Sequence, residues 1–366
     1  MNKSHSALLQ LLKISLGNSN CFGLNSKDID WREVFTESRC QGVAGVAFDA
    51  FNRMPESENI DSKLIFEWMC HALKIETVFH SYVEALCRLS AIVERLGMRM
   101  MVLKGYGCSR NYPEPNHRPC GDIDIFLLDN SGRHKEDLLR RLEENLKHEY
   151  GITVDYENGH HSQFMFCGFC VEDHYTVLDV GVHKSNFYIE ELLEKLAAEE
   201  ITEIDVNGIP VYLPSPRFNS IHLLRHMASD FATVKASLRQ VLDWSTFIKS
   251  NDIDWKFVFN IAHKSNMNRF LDVLNGICVY YLGYPDYMFP IEYRDEPLEK
   301  KVIEEILNSK ETVNSPNPNF SLSQKFHYVW NKTIRMCRNS WKYDMVYDES
   351  MFEAFCWKAR NRMRRI

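Results

Sequence analysis

The spacing of apolar residues changes twice along the chain, and these two changes constrain the fold most. From Ser4 to about Gly97, apolar residues recur at three- and four-residue intervals, which is typical of amphipathic helices. Beyond Gly97 they form short runs of strand length, separated by Gly, Pro and Asn. Helical spacing returns from Pro216 onward. The sequence therefore predicts an α+β protein in which helices flank a small mixed β-sheet.

These changes also suggest how the chain is divided. Residues 1–98 are predicted to form an N-terminal helical segment, residues 99–215 a core built on the sheet, and residues 216–366 a C-terminal helical domain. A length of 366 residues is ample for more than one domain. Within the core, the run Ile152 to Tyr156 predicts a strand, and the pair Asn207-Gly208 between two apolar runs predicts a β-hairpin.

Charge and hydropathy exclude several classes of protein. The chain carries 50 acidic and 43 basic residues, a net charge of -7, which argues against a protein that coats nucleic acid. No run of about 18 apolar residues could span a bilayer. Because the N-terminus also lacks a secretory signal pattern, we expect a cytoplasmic protein with no membrane or nucleic-acid partner. The sequence leaves its oligomeric state open.

Eleven cysteines are present, and the odd count in a long chain favours free thiols over a disulfide framework. The spacing of Cys167-Gly168-Phe169-Cys170 is compatible with a redox pair or half a zinc site. However, the flanking residues are typical of strands, with a tight turn predicted at Gly168-Phe169, and no second such motif would complete four zinc ligands. A thiol or zinc function is therefore the least favoured hypothesis.

Two aspartates two positions apart are the strongest chemical signal in the core. Asp122 and Asp124 lie in the strand-like run Gly121-Asp122-Ile123-Asp124-Ile125. Residues i and i+2 of a strand point to one face, so the two carboxylates would project together while the isoleucines enter the core. Paired carboxylates repel each other unless a cation compensates, and oxygen ligands suit Mg²⁺. Ordinary surface acids on a half-exposed strand are the alternative.

The residues upstream favour phosphate chemistry. Lys104-Gly105 ends a predicted strand, and a glycine there would let the backbone approach a phosphate closely. Arg118 precedes Asp122 by four positions, where its guanidinium would bind phosphate oxygens through two parallel hydrogen bonds. A strand, a glycine turn, an arginine and a strand with paired aspartates form an order typical of phosphate-handling sites.

The stretches Leu103-Lys104-Gly105 and Arg118-Pro119-Cys120-Gly121-Asp122-Ile123-Asp124-Ile125-Phe126 resemble the DNA polymerase β-like nucleotidyltransferase superfamily. The resemblance is closer to its bacterial branch of uncharacterised nucleotidyltransferases and extends over roughly residues 95 to 285. It implies a Mg²⁺-dependent enzyme that transfers an NMP group from an NTP, such as ATP, to a hydroxyl by a two-metal mechanism. The sequence does not indicate whether the acceptor is a small molecule, a sugar phosphate or a protein.

The resemblance also assigns roles to individual residues. Asp122, Asp124 and a third carboxylate on a neighbouring strand would be the catalytic metal ligands. Lys104, Gly105 and Arg118 would position the triphosphate. The chain departs from the superfamily pattern at Tyr106, where Gly or Ser usually follows the turn glycine, so the phosphate contacts at this turn are open.

The third carboxylate is either Glu172 or Asp179, since both lie in a run predicted as strand from Val171 to Val182. We prefer Glu172, because the arrangement Val-Glu-x-His resembles the family and places Glu172 and His174 on one strand face. His174 would contact the substrate or orient a carboxylate. His161, beside His160, would bind phosphate or the acceptor, although both are also compatible with ordinary loop histidines.

A second hypothesis is a catalytically inactive nucleotide-binding or scaffold protein that keeps the same fold, because fold does not determine function. The convergence of Asp122, Asp124 and the third carboxylate on one point discriminates between the two hypotheses. An enzyme requires it, whereas a scaffold does not.

Overall fold

The computed structural model describes residues 1–54, 60–156, 161–233, 236–308, 339–347 and 349–364. The strands are β1 (Arg99–Val102), β2 (Ile123–Leu128), β3 (His161–Phe166), β4 (Phe169–His174), β5 (Thr202–Val206) and β6 (Ile209–Leu213). They form one six-stranded sheet in the order β3-β4-β2-β1-β6-β5. The predicted α+β class, with a mixed sheet between helical segments, is confirmed.

Helices precede, interrupt and follow the sheet. Before and within it lie α1 (Lys3–Ser15), α2 (Trp31–Cys40), α3 (Ala44–Phe48), α4 (Ser62–Arg95), α5 (Tyr106–Ser109), α6 (Glu136–Tyr150) and α7 (Asn186–Glu199). After it come α8 (Pro216–Thr233), α9 (Leu238–Ser250), α10 (Trp255–Lys264), α11 (Asn268–Gly276), α12 (Glu296–Leu307) and the helices Ser340–Val346 and Met351–Arg364. No described helix is long and apolar enough to cross a membrane.

The pairing of the strands places the centre of the sheet between the two hairpins. Strand β1 pairs antiparallel with β2 and parallel with β6, while β2 pairs parallel with β4. The two hairpins, β3–β4 and β5–β6, form the outer strands. The predicted turn at Asn207-Gly208 is confirmed, since both residues have positive φ and Val206 pairs with Ile209.

Three strand predictions are wrong in detail. Strand β4 ends at His174 instead of continuing to Val182, because the amides of Val177 and Leu178 donate to the Glu190 carboxylate of α7 and not to a neighbouring strand. The predicted strand over residues 152–156 is reduced to one isolated bridge between Asp155 and Gln163. In the β3–β4 hairpin, Phe166 pairs with Phe169, so the turn is one residue earlier than predicted.

The two faces of the sheet pack against different helices. Ile123 and Ile125 lie in a cluster with α4 and α6, as the alternation along β2 predicts. Phe126, on the opposite face, belongs to a second cluster that includes α1, α2 and α8 to α12. The N-terminal helices therefore share a core with the C-terminal helices.

Hydrogen bonds of Gln41, just after α2, also connect the two helical segments. Its side chain donates to the Ile306 carbonyl at 2.9 Å and accepts from the Leu238 amide at 2.9 Å. The segment of residues 1–98 is thus anchored on both α9 and α12, and the predicted division of the chain at residues 98 and 215 stays a prediction.

His117, in the connection between β1 and β2, joins two helical elements and should make stability depend on pH. Its Nδ1 lies 2.6 Å from Asp49 and its Nε2 2.8 Å from Glu76 on α4. Burial would lower the pKa of His117, but the hydrogen bonds to both carboxylates raise it from 6.5 to about 9. The stabilisation by the charged ring is therefore complete below about pH 6.5 and disappears as the pH rises through about 9.

We expect His117→Gln to lower the free energy of unfolding by about 2 kcal/mol at pH 6, with little effect at pH 10. Urea unfolding of both proteins across this range measures the difference. A variant of His148, an exposed histidine on α6, provides the control and should keep the wild-type profile. A loss in His117→Gln that is the same at every pH would contradict the assignment.

Candidate active site

Strand register brings two of the predicted carboxylates side by side. Asp124 on β2 pairs directly with Glu172 on the parallel strand β4, so both side chains emerge on the same sheet face. Asp124 is buried, with 7% of its surface exposed, whereas Asp122 precedes β2 and is exposed. All three carboxylates line one cleft.

Lys104, just after β1, compensates one of these charges. Its Nζ lies 3.0 Å from Asp124 Oδ1 and 3.0 Å from His226 Nε2 on α8. Burial alone would lower the pKa of Lys104 and raise that of Asp124, but their mutual attraction reverses both shifts, so the pKa of Lys104 is raised and that of Asp124 is lowered. Lysine and aspartate thus form a charged pair at the centre of the cleft.

The charge of Asp122 is less well compensated. Burial, followed by the charges of Glu172 and Asp124, raises the pKa of Asp122 above its usual value, and Lys104 only partly opposes this effect. A carboxylate in a cleft whose pKa is raised by neighbouring acids is typical of a cation site or a functional site. The cleft therefore retains unneutralised negative charge beside a region that Lys104 makes positive.

Arg118 lies in the same wall of the cleft but is already paired. Its Nε and Nη2 donate to the two carboxylate oxygens of Asp243 on α9, at 2.7 and 2.8 Å, and its Nη1 donates to the Pro119 carbonyl. Only 6% of the side chain is exposed. The structure thus gives Arg118 a role in fixing the loop before β2 to α9, and its predicted contact with phosphate stays a prediction.

Two other arginines line the cleft, and the sequence did not single them out. Arg39 comes from the end of α2 and Arg239 from α9. Neither guanidinium makes an ion pair with a carboxylate of the described residues, and Arg239 acts on Asp122 through its charge. The cleft, about 500 Å³ in volume, therefore has carboxylates and Lys104 on the sheet side and free arginines on the helical side.

A family model described as uncharacterised nucleotidyltransferase matches residues 27–283. The chain belongs to this family. The match begins in the N-terminal helices, earlier than the resemblance at roughly residue 95, and so includes Arg39 as well as Lys104, Asp122 and Asp124. No curated protein matches the chain significantly.

Among solved structures, the chain is similar to the crystal structure of an antigenic nucleotidyltransferase-like protein from Paracoccidioides brasiliensis. The two are 13% identical, with a TM-score of 0.34, and the match covers 59% of this chain and 96% of that one. At this level of similarity the comparison carries no argument about the site.

In this nucleotidyltransferase family member, Gly105 turns the chain sharply from β1 into α5. Its φ is +54°, and a Cβ on it would lie 2.3 Å from the hydroxyl of the fully buried Tyr82. Tyr106, the unusual residue after this glycine, stacks its ring on that of Phe79 of α4, with the ring centroids 6.3 Å apart. The tyrosine is thus accommodated by α4, while glycine is required by both backbone conformation and space.

We expect Gly105→Ala to lower the free energy of unfolding by about 2 kcal/mol or more, because the methyl group meets both a left-handed backbone and Tyr82. Gly107→Ala is the matched control, since its Cβ would meet only the Leu213 side chain at 3.4 Å and the Val102 carbonyl at 3.8 Å. Denaturant unfolding compares the two variants. Equal losses of unfolding free energy in the two variants would show that position 105 does not require glycine.

The structure brings Glu172, and not Asp179, beside Asp124. Asp179 lies beyond the end of β4, and its carboxylate accepts a hydrogen bond from the Gly181 amide at 2.9 Å. It does not line the cleft. The geometry favours Glu172 as the third carboxylate, and its catalytic role stays a prediction.

The predicted histidines lie on the strands next to Glu172. His161 on β3 is directly opposite His174 on β4, and His174 Nε2 lies 3.3 Å from Asp124 Oδ1. Burial lowers the pKa of His161, which favours its neutral ring. His160 lies outside the described residues. The structure thus joins both of the described histidines to the carboxylate site.

Cys167 and Cys170 are both free thiols at the end of the β3–β4 hairpin. Cys167 occupies the turn with a positive φ, and Cys170 pairs with Met165 in the ladder. Burial, followed by the charges of nearby carboxylates, raises the pKa of Cys170, which disfavours the reactive thiolate. The pairing of Cys170 in the ladder and its raised pKa argue against a redox role for this thiol.

Proposed function

We propose that this protein is a Mg²⁺-dependent nucleotidyltransferase that transfers an NMP group from an NTP to a hydroxyl acceptor. The observation that carries the proposal is the direct pairing of Asp124 and Glu172 on parallel strands, with Asp122 at the rim and Lys104 between sheet and helices. Membership of a nucleotidyltransferase family supports the reaction class. The acceptor, a small molecule, a sugar phosphate or a protein, stays open.

The carboxylates fit magnesium in ligand type and charge. Mg²⁺ prefers oxygen ligands and commonly binds through one or two carboxylates together with substrate phosphates. Burial, and then repulsion by Glu172 and Asp124 that Lys104 only partly offsets, raises the pKa of Asp122. Among the described residues, Asp122, Asp124 and Glu172 do not form a set whose oxygens all lie within 4.8 Å of one another. The three side chains therefore do not meet at one point as the sequence-based criterion for an enzyme requires, and the proposal needs two ions instead of one ion shared by all three.

Asp122, Asp124 and Glu172 would hold the ions. Bound Mg²⁺ would activate the acceptor oxygen and neutralise the leaving pyrophosphate, in the manner of two-metal sites.

The chain's own cations would orient the triphosphate. Lys104 is fixed by Asp124 and His226, so its ammonium group is positioned before the nucleotide arrives. Arg39 and Arg239 face the carboxylates across the cleft and are free to bind the outer phosphates, for which planar guanidinium groups are well suited. This arrangement would hold the α-phosphate near the aspartates and the pyrophosphate near the arginines.

Calorimetry tests the proposal directly. ATP, GTP, CTP and UTP are titrated with and without Mg²⁺ into the wild type, Asp122→Asn and Arg239→Ala, with Arg269→Ala as the control because Arg269 is an exposed arginine paired with Asp295. We expect binding of at least one NTP to require Mg²⁺ and to weaken about tenfold or more in the first two variants.

An inactive scaffold would give a different result. NTP binding that is unaffected by Mg²⁺ and by Asp122→Asn would favour the inactive nucleotide-binding alternative. The absence of NTP binding in the wild type would contradict the transferase and favour the scaffold. When binding requires Mg²⁺, pyrophosphate release during an acceptor screen then distinguishes a transferase from a nucleotide-binding protein.

A further inference from the structure

The β3–β4 hairpin gathers two imidazoles and a carboxylate at one end of the cleft. His161 and His174 are directly opposite in the antiparallel ladder, and Glu172 precedes His174 by two positions, so the three side chains share one face. The Glu172 oxygens lie 3.7 Å from His161 Nε2 and 3.8 Å from His174 Nε2. One ligand atom from each residue lies within 4.8 Å of the other two.

Within the part of the chain that the structure describes, this is the set of three side chains that meets the spacing of a metal site. The three side chains are 13%, 21% and 6% exposed for His161, Glu172 and His174, so they are held by packing and still reachable from the cleft through Glu172. Preorganised ligands lose little freedom when an ion binds.

The donor set indicates the class of ion. Magnesium prefers oxygen donors, whereas imidazole nitrogens suit first-row transition ions such as Mn²⁺, Fe²⁺, Co²⁺ and Zn²⁺. Two imidazoles and one carboxylate leave coordination positions open for water or a substrate oxygen. The chemistry of this set therefore differs from that of Asp122 and Asp124.

Gln163 explains how the set is held together without an ion. Its amide nitrogen lies 2.8 Å from Glu172 Oε1 and 3.0 Å from His161 Nε2. Because Gln163 pairs with Glu172 in the ladder, the amide orients both ligands from within the hairpin. An ion bound there would replace these two contacts, and Gln163 would have to turn away.

We propose that His161, Glu172 and His174 bind a divalent first-row transition ion next to Asp124. His174 Nε2 is 3.3 Å from Asp124 Oδ1, so the ion would lie at the edge of the carboxylate site and share Glu172 with it. The inference deepens the proposed function and rests on it for the ion's part in the reaction. Binding of the ion itself requires only the hairpin.

Cobalt titration of the full-length protein, freed of metal and without nucleotide, tests the site. Co²⁺ is added to the wild type, His161→Ala, His174→Ala and Glu172→Gln while its visible absorption is followed. We expect one Co²⁺ per chain, little competition from an equal concentration of Mg²⁺, and binding weakened by more than about tenfold in each variant.

His263→Ala is the matched control, because His263 forms an exposed pair with Glu292 and has no third ligand nearby among the described residues. Gln163→Ala should keep Co²⁺ binding, since the amide only orients the ligands. Binding that survives in both His161→Ala and His174→Ala, or that Mg²⁺ removes at equal concentration, would overturn the proposal. Circular dichroism identifies any variant that fails to fold. If a histidine variant does not fold, the result for Glu172→Gln, whose side chain has nearly the same shape as the wild type, decides whether the site binds Co²⁺.

The two proposals fail in distinguishable ways. Intact Mg²⁺-dependent NTP binding in a protein that binds no Co²⁺ would refute the transition-ion site and leave the nucleotidyltransferase proposal standing. Co²⁺ binding that depends on both histidines, in a protein without Mg²⁺-dependent NTP binding, would support the ion site and refute the proposed reaction.

Discussion

Asp124→Asn is expected to reduce nucleotidyl transfer on the order of a thousandfold while the protein remains folded. Asparagine keeps the shape of the side chain but removes the charge that pairs with Lys104 at 3.0 Å and that would attract the metal ion. Asp124 is the one acidic residue of β2, and it pairs directly with Glu172. No other carboxylate of this strand could replace it. The measurement is turnover of an α-labelled NTP, with a cell extract as the source of acceptor.

Asp205→Asn is the matched control, since Asp205 is also a strand aspartate but lies on the edge strand β5, outside the cleft. Among the described residues, its carboxylate accepts a hydrogen bond only from the Gly208 amide of the adjoining turn. We expect this variant to retain wild-type turnover. Comparable turnover in Asp124→Asn and Asp205→Asn would show that the carboxylate pair does not carry the reaction.

The aspartates could be predicted because the signal is local. The i and i+2 spacing predicts that Asp122 and Asp124 lie near each other, although Asp122 immediately precedes β2, and Lys104-Gly105 follows the neighbouring strand β1. Glu172 was a choice between two acids, because sequence carries no direct signal of how β4 aligns with β2. The parallel register of Asp124 with Glu172 is a property of the assembled sheet.

The role of Arg118 shows the opposite case. Its position near Asp122 predicted a phosphate contact, but its partner Asp243 is 125 residues further along the chain. Local spacing cannot reveal such a pairing. For the same reason Arg39, on a helix that reaches the cleft only through tertiary packing, had no motif to mark it.

The fold itself was predicted where periodicity is strong and missed where tertiary contacts decide. The helices and the central strands β1 and β2 follow their apolar patterns. The end of β4 depends on Glu190, which binds the Val177 and Leu178 amides from a helix. The shared core of α1 with the C-terminal helices depends on packing between segments far apart in sequence.

Asp243→Ala is expected to lower the free energy of unfolding by about 3–5 kcal/mol, because it leaves the buried Arg118 guanidinium without its counter-charge. The Tyr112 hydroxyl would also lose the shorter of its two contacts, since it donates to Asp243 at 2.7 Å and lies 3.3 Å from the Arg239 carbonyl. Burial would raise the pKa of Asp243, but Arg118 lowers it, which shows that the carboxylate is stabilised in its charged form. Urea unfolding measures the loss.

Arg269→Ala, which breaks an exposed ion pair with Asp295, should cost at most about 1 kcal/mol and is the control for charge removal alone. Replacing both partners in Arg118→Met, Asp243→Leu should recover much of the stability, because an apolar pair needs no desolvated charge. If Asp243→Ala cost no more than Arg269→Ala, the buried pair would not stabilise the fold.

The folded double variant also tests the role of Arg118. Normal NTP binding would show that Arg118 supports the cleft and does not contact phosphate, whereas lost binding would favour the predicted phosphate contact.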